Sequence, residues 1–169
     1  MIRLITLCSF LFPAAALAEA KAPESFLSES GRWNEVYIAG QPAPADLVAA
    51  REAGVTVVIN TRGPAELDWD ESAAAEQAGL IYHNVPLSRG GNDAQAYARI
   101  SELIAAHEGQ KVLVHCGSGN RAAGWLATHL VEHDGQKVSD ALATARGAGL
   151  TSDALAKRVQ TYLEAEADD

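Results

Sequence analysis

The chain has 169 residues, with 22 Asp and Glu against 13 Lys and Arg and a formal charge of −9. That balance argues against nucleic acid as a partner and against adhesion to anionic lipid, since both require a basic face. Without its N-terminal leader, roughly 150 residues remain, enough for one domain burying about 70% of its unfolded surface.

The leader comes first. Met1-Ile2-Arg3 is a short positive start, residues 4–12 are mostly apolar, and Ala16-Leu17-Ala18 is a small-x-small cleavage site. Residues 1–18 therefore read as a secretory signal peptide. The apolar run is too short for a bilayer, which takes about 20 residues, and nothing later in the chain is long enough. The expectation is a periplasmic or secreted protein with no membrane insertion. Cys8 leaves with the signal, so Cys116 is the one thiol of the mature chain and has no disulfide partner within it.

Residues 19–31 are polar and mixed, an expected extended lead-in to a domain spanning 32–169. Val36–Ala39 reads as a short strand ending in the turn Gly40-Gln41-Pro42, and 44–53 as a helix stopped by Gly54. The β-branched run VTVVINT at 55–61 is apolar on both faces, as in a strand covered by helices on both sides. A loop at 62–70 leads to a helix at 71–78, then a strand at 80–85 closed by Pro86. After a second loop at 88–92, Asp93 starts a helix reaching 107, and KVLVH at 111–115 is the fourth strand. Helices at 121–133, 138–145 and 152–165 complete the chain. Strands separated by helices imply right-handed crossovers. The fold expected is a single α/β domain, with a mostly parallel central sheet of about four strands flanked by helices.

Ligands of open parallel sheets bind beyond the carboxyl ends of the strands, and Cys116 lies at such an end. Gly117, Ser118, Gly119 and Asn120 turn the chain, and Arg121 opens a helix. The two glycines are expected to take positive φ and to let the backbone approach a ligand. Consecutive N–H groups and the helix N-terminus suit an anion, and a guanidinium offers a planar fork for two of its oxygens. The same fields favour a nucleophilic thiolate at Cys116. Residues 117–120 are then substrate-binding, together with Arg62 and Arg89, which emerge at the same edge. Arg62 has an alternative role in pairing with Glu66.

VLVHCGSGNRAAG resembles the active-site loop of the cysteine-dependent dual-specificity and tyrosine phosphatases. GQP at 40–42, VVINTR at 57–62, YHNVP at 82–86 and ARGAGLT at 145–151 are similar to the bacterial beta-lactamase hydrolase-like phosphatase-like family. The resemblance implies a dual-specificity phosphatase-like fold and no cofactor or metal. It implies that Cys116 takes a phosphoryl group, that Arg121 holds it, and that His115 orders the loop. The expected partner is a phosphorylated small molecule or a phosphoprotein.

Three features depart from the usual phosphatase pattern. Four residues rather than five separate Cys116 from Arg121, a spacing the bacterial family shares. Ala122 stands where a hydroxyl residue commonly follows the arginine. The usual position of the general acid is Arg89, which leaves Asp93 as the candidate if segment 89–92 folds over the site, with Asp68 and Asp70 as alternatives. The chemistry thus stays open between a phosphatase, a rhodanese-type sulfurtransferase with a Cys116 persulfide, and a non-catalytic anion or phosphopeptide binder. His129 and His133 have helical metal-ligand spacing but no third ligand nearby.

Overall fold

The computed structural model describes residues 23–166, and the signal-peptide reading of 1–18 lies outside them. Among the described residues, five strands form one sheet: β1 (Gly31–Trp33), β2 (Val36–Ala39), β3 (Val55–Asn60), β4 (Ile81–Asn84) and β5 (Lys111–His115). Their order is β1-β2-β5-β3-β4, parallel except for the antiparallel pair β1–β2. The expected sheet of about four strands thus gains a fifth. β1 is too short to show strand periodicity, and only its pairing with β2 makes it one.

Pro23–Ser28 is a short helix, α1, where an extended lead-in was expected. Its Phe26 and Leu27 pack against a core cluster, and that tertiary contact outweighs the polar composition around them. The other helices are α2 (Pro44–Glu52), α3 (Glu71–Gln77), α4 (Ala94–Ala106), α5 (Asn120–Glu132), α6 (Val138–Gly147) and α7 (Asp153–Glu166). No helix among the described residues is long and apolar enough to cross a membrane.

The two-faced apolarity of the central strands divides the core. Val57 and Ile59 of β3 and Val112 and Val114 of β5 join one cluster, which the inner faces of α4–α7 complete. Val55 and Val58 of β3 and Leu113 of β5 face the other way, against Leu47 and Ala50 of α2 and Ala75 of α3. Side chains alternate across a strand, so a strand sealed on both sides needs apolar residues at nearly every position. Trp125 of α5 is fully buried and donates its indole N–H to Ser101 Oγ at 3.2 Å, which settles it as core. His129 packs between Trp33 and Trp125 and stacks on His133.

Candidate active site

The four parallel strands end level. Ala39 pairs with His115, His115 with Asn60, and Asn60 with Asn84. The loops that follow are therefore gathered at one edge, around central β5. Directly beyond His115, Cys116 is 1% exposed, and its N–H donates to the Ala39 carbonyl at 3.2 Å. Gly119 has φ 86°, the left-handed conformation that favours glycine, and ends the turn just before α5. That turn aims the Gly119 N–H at Cys116 Sγ, 3.1 Å away. A donor at the sulfur and a helix starting behind it both suit negative charge there.

Gly117 differs from expectation. It is not among the glycines at positive φ, and a Cβ on it would meet nothing within 4 Å. The left-handed turn is made at Gly119 alone, and Gly117 instead leaves the mouth of the loop open. The Gly-Gln-Pro turn braces the loop from the side. Gly40 forms an isolated bridge with Ser118, and the Gln41 N–H donates to the Gly117 carbonyl at 3.2 Å.

Two glutamates grip the ends of this loop. At its start, His115 and Glu71 are both fully buried, with His115 Nε2 2.6 Å from Glu71 Oε1. Glu71 Oε2 accepts from Gln41 Nε2 at 2.8 Å and from Asn60 Nδ2 at 3.1 Å. The His115 carbonyl accepts from both the N–H and the hydroxyl of Thr61, each at 2.8 Å. Glu71 was missed in the sequence, where an acid in the first turn of a helix reads as a favourable dipole contact facing water.

At the other end, Arg121 Nη1 donates to Glu66 Oε1 and to the Leu87 carbonyl, both at 2.8 Å, and Nη2 donates to Glu66 Oε2 at 2.7 Å. A guanidinium has five N–H donors. The Nε–H and the second Nη2 hydrogen are not taken by Glu66 or Leu87, and on this side the guanidinium interacts with the Cys116 sulfur. The Arg121 bond holds the Glu66 carboxyl well below its usual 4.5, at about 2, despite opposition from burial. Burial also opposes the charge on Arg121, but Glu66 and the nearby Cys116 outweigh it and push the guanidinium above its ordinary value.

The remaining candidates divide. Arg62 reaches the cleft, but its guanidinium donates to Gln41 Oε1 and to the Glu66 carbonyl, so it props the wall of the site. The contact with Glu66 is to its backbone carbonyl and not to its carboxylate, the partner foreseen for Arg62. Arg89 stands at the rim, its side chain 84% exposed and 3.4 Å from Glu66 Oε2. Asn120 lines the cleft but turns its carbonyl oxygen to the N–H groups of Thr151 and Ser152, at 2.9 and 2.8 Å. It therefore ties the loop to the start of α7.

Asp93 is not at the cleft. Its carboxylate accepts from the N–H and hydroxyl of Ser88, both at 2.9 Å, and closes the 88–93 loop on itself. Nor does it cap α4 with its side chain. Asp70 caps α3 through Ala73 N–H at 3.0 Å, and Asp68 is exposed on the same loop. Glu66 is the carboxylate that lines the cleft, which has a volume of about 440 Å³. Its far wall comes from Ser152, Leu155 and Arg158 of the α7 region, and of these Leu155 and Arg158 have no motif of their own in the sequence.

The model of the family described as beta-lactamase hydrolase-like protein, phosphatase-like domain, matches residues 32–130. No curated protein matches the chain in sequence. Among solved structures, a candidate DUF442 phosphatase from Shewanella putrefaciens CN-32 is 22% identical with a TM-score of 0.64, covering 84% of this chain and 97% of its own. Tk-PTP in its active form is 21% identical with a TM-score of 0.68, over 81% of this chain and 97% of that one. TpbA from P. aeruginosa, a Cys-to-Ser variant in complex with phosphotyrosine, is 20% identical with a TM-score of 0.64, over 90% and 91%. At these identities the likeness is one of fold, that of the cysteine-dependent dual-specificity and tyrosine phosphatases.

Proposed function

We propose that this chain, which belongs to the phosphatase-like domain family of the beta-lactamase hydrolase-like proteins, hydrolyses phosphomonoesters through a phosphocysteine on Cys116. The observation that supports this is the cradle: Cys116 Sγ with a backbone N–H at 3.1 Å, in one cleft with an arginine that keeps two donors beyond those given to Glu66 and Leu87 and interacts with the sulfur. In the first step the Cys116 thiolate attacks phosphorus. The S–P bond forms, the ester P–O bond breaks, and the leaving oxygen departs with the bond pair and takes up a proton. In the second, water attacks phosphorus and the S–P bond breaks with its pair returning to sulfur. Orthophosphate leaves and one proton is released, balancing the first step. Arg121 supplies its two remaining donors to the phosphoryl oxygens, a contribution that grows as charge develops there.

Proton transfer is assigned to Asp93, which requires the 89–92 segment to move inward and the Ser88 bonds to break. This assignment has a leaving-group signature. Asp93→Asn is expected to slow an alkyl phosphate far more than p-nitrophenyl phosphate, whose phenolate departs without a proton. Equal slowing of both would remove Asp93 from that role. We further propose that the chain works outside the cytoplasm, on the strength of its leader at 1–18. The mass of the chain recovered from cells, with or without those residues, decides this.

Phosphotyrosine, the ligand bound by TpbA, is the natural first substrate to test here. The decisive experiment is hydrolysis of p-nitrophenyl phosphate between about pH 5 and 8, paired with rapid-quench mass analysis of Cys116. Wild type should turn over and show a phosphoryl adduct, and Cys116→Ser should do neither. A sulfur adduct after thiosulfate, without a phosphoryl one, would replace this reading by sulfurtransfer. Phosphate binding without turnover would leave only a binder.

A further inference from the structure

We propose that the substrate of this site is a phosphomonoester bearing a second anionic group, which Arg89 and Arg158 hold at the rim of the cleft. This rests on the phosphatase reading above and extends it to the class of substrate. The cleft is lined by four guanidiniums and one carboxylate, in a chain whose formal charge is −9. The four are not equivalent. Arg121 is anchored by Glu66 and faces the reacting phosphate, while Arg62 is spent on Gln41 and the Glu66 carbonyl. Arg89 keeps only a long contact with Glu66, and among the described residues no hydrogen bond or ion pair engages Arg158.

These two cations come from different elements and share one wall. The loop carrying Arg89 rests directly on α7, where a Cβ on Gly91 would lie 3.1 Å from Leu155 Cδ1 and 3.3 Å from Arg158 Cβ. Gly91 has φ 77°, so glycine serves both the turn and this close approach. The fold thus presses one arginine-bearing loop against the helical turn that bears another, and supplies Arg158 with no counter-ion of its own. Two cations lining one cleft favour a bound anion there. Arg158 also stands where the catalytic cleft meets a second, more apolar groove that includes Lys157 and Tyr162, so a substrate extending past the phosphate meets it directly. A single phosphoryl group held by the loop and Arg121 leaves this rim unused.

The test compares substrates within one enzyme preparation, so loss of folded protein cancels. kcat/KM is measured for a phosphotyrosine peptide with acidic flanks, the same peptide with neutral flanks, and a bisphosphorylated and a monophosphorylated sugar. Wild type is expected to favour the more anionic member of at least one pair by about tenfold at low salt, with the preference shrinking at high salt. Preference in the peptide pair assigns the second anion to an acidic side chain, and preference in the sugar pair assigns it to a second phosphate. Arg158→Gln should bring the ratio toward one, and Arg158→Glu should invert it. A wild-type ratio near one, or a ratio unmoved by Arg158→Glu, overturns the inference while Cys116-dependent turnover of p-nitrophenyl phosphate leaves the phosphatase reading standing. Absence of that turnover removes the phosphatase reading itself.

Discussion

Glu66 and Glu71 stand five positions apart, and each grips one end of the loop from His115 to Arg121, yet they behave as different kinds of parts. Glu71 is sealed beneath the sheet edge, with partners on His115, Gln41 and Asn60. Glu66 lies in the cleft with its side chain 27% exposed, where solvent and ligand can reach the pair it makes with Arg121. A sealed pair cannot exchange partners without unfolding something, whereas a cleft pair can loosen, share or screen its charge. The loop is therefore fixed rigidly where it leaves the sheet and adjustably where it opens on the cleft.

The largest expected effects separate the two ends. Glu71→Ala removes the buried carboxylate that faces His115 and accepts from Gln41 and Asn60, and should cost about 3–5 kcal/mol of stability. A denaturant titration measures this, and a loss below about 1 kcal/mol would show the buried grip to be dispensable. Arg121→Lys should leave the fold nearly as stable but lower kcat by about a hundredfold or more, because an ammonium cannot serve Glu66 and the phosphoryl group with a planar fork. Steady-state kinetics on p-nitrophenyl phosphate provides the check.

A smaller effect tests the adjustable end. Glu66→Gln frees Arg121 to wander and should raise KM more than it lowers kcat, by roughly tenfold overall. Its stability signature depends on pH. The Glu66 carboxyl lies at about 2 in the folded protein against an ordinary 4.5, so its contribution is fully present above 4.5 and is lost as pH falls toward 2. The stability gap between wild type and Glu66→Gln should therefore close across that window, and a gap that stays constant would contradict it. Smallest of all, Asn120→Ala removes the acceptor for Thr151 and Ser152 N–H and should cost about 1 kcal/mol, read as a modest drop in Tm.

Most of the fold was legible because its signals are local. β2 and β5 fall where their apolar runs place them, and the helices after Gly119 and Thr151 begin within a residue or two of their turn and capping signals. Misses occur where local pattern is silent or outvoted. β1 has three residues and exists through its pairing with β2, and α1 is helical although its surroundings are polar. The site shows the same division. Cys116, His115 and Arg121 were readable because strand, turn and helix start follow one another within a few residues. Asp93 lies outside the cleft in this structure because its carboxylate is held by Ser88, a contact that no spacing along the chain reports.

What the sequence determines by itself is the placement of Cys116 in its loop. The geometry of a strand end, a left-handed glycine and a helix N-terminus is set by neighbours along the chain. What only the tertiary structure decides is the company the loop keeps: Glu71 behind His115, Glu66 on Arg121, Arg62 turned to Gln41, and Arg158 facing the cleft from α7. The physical reason is the strand order. Seating β5 between β2 and β3 brings loops far apart in sequence to one edge, and charges selected there for one another leave no periodic trace along the chain.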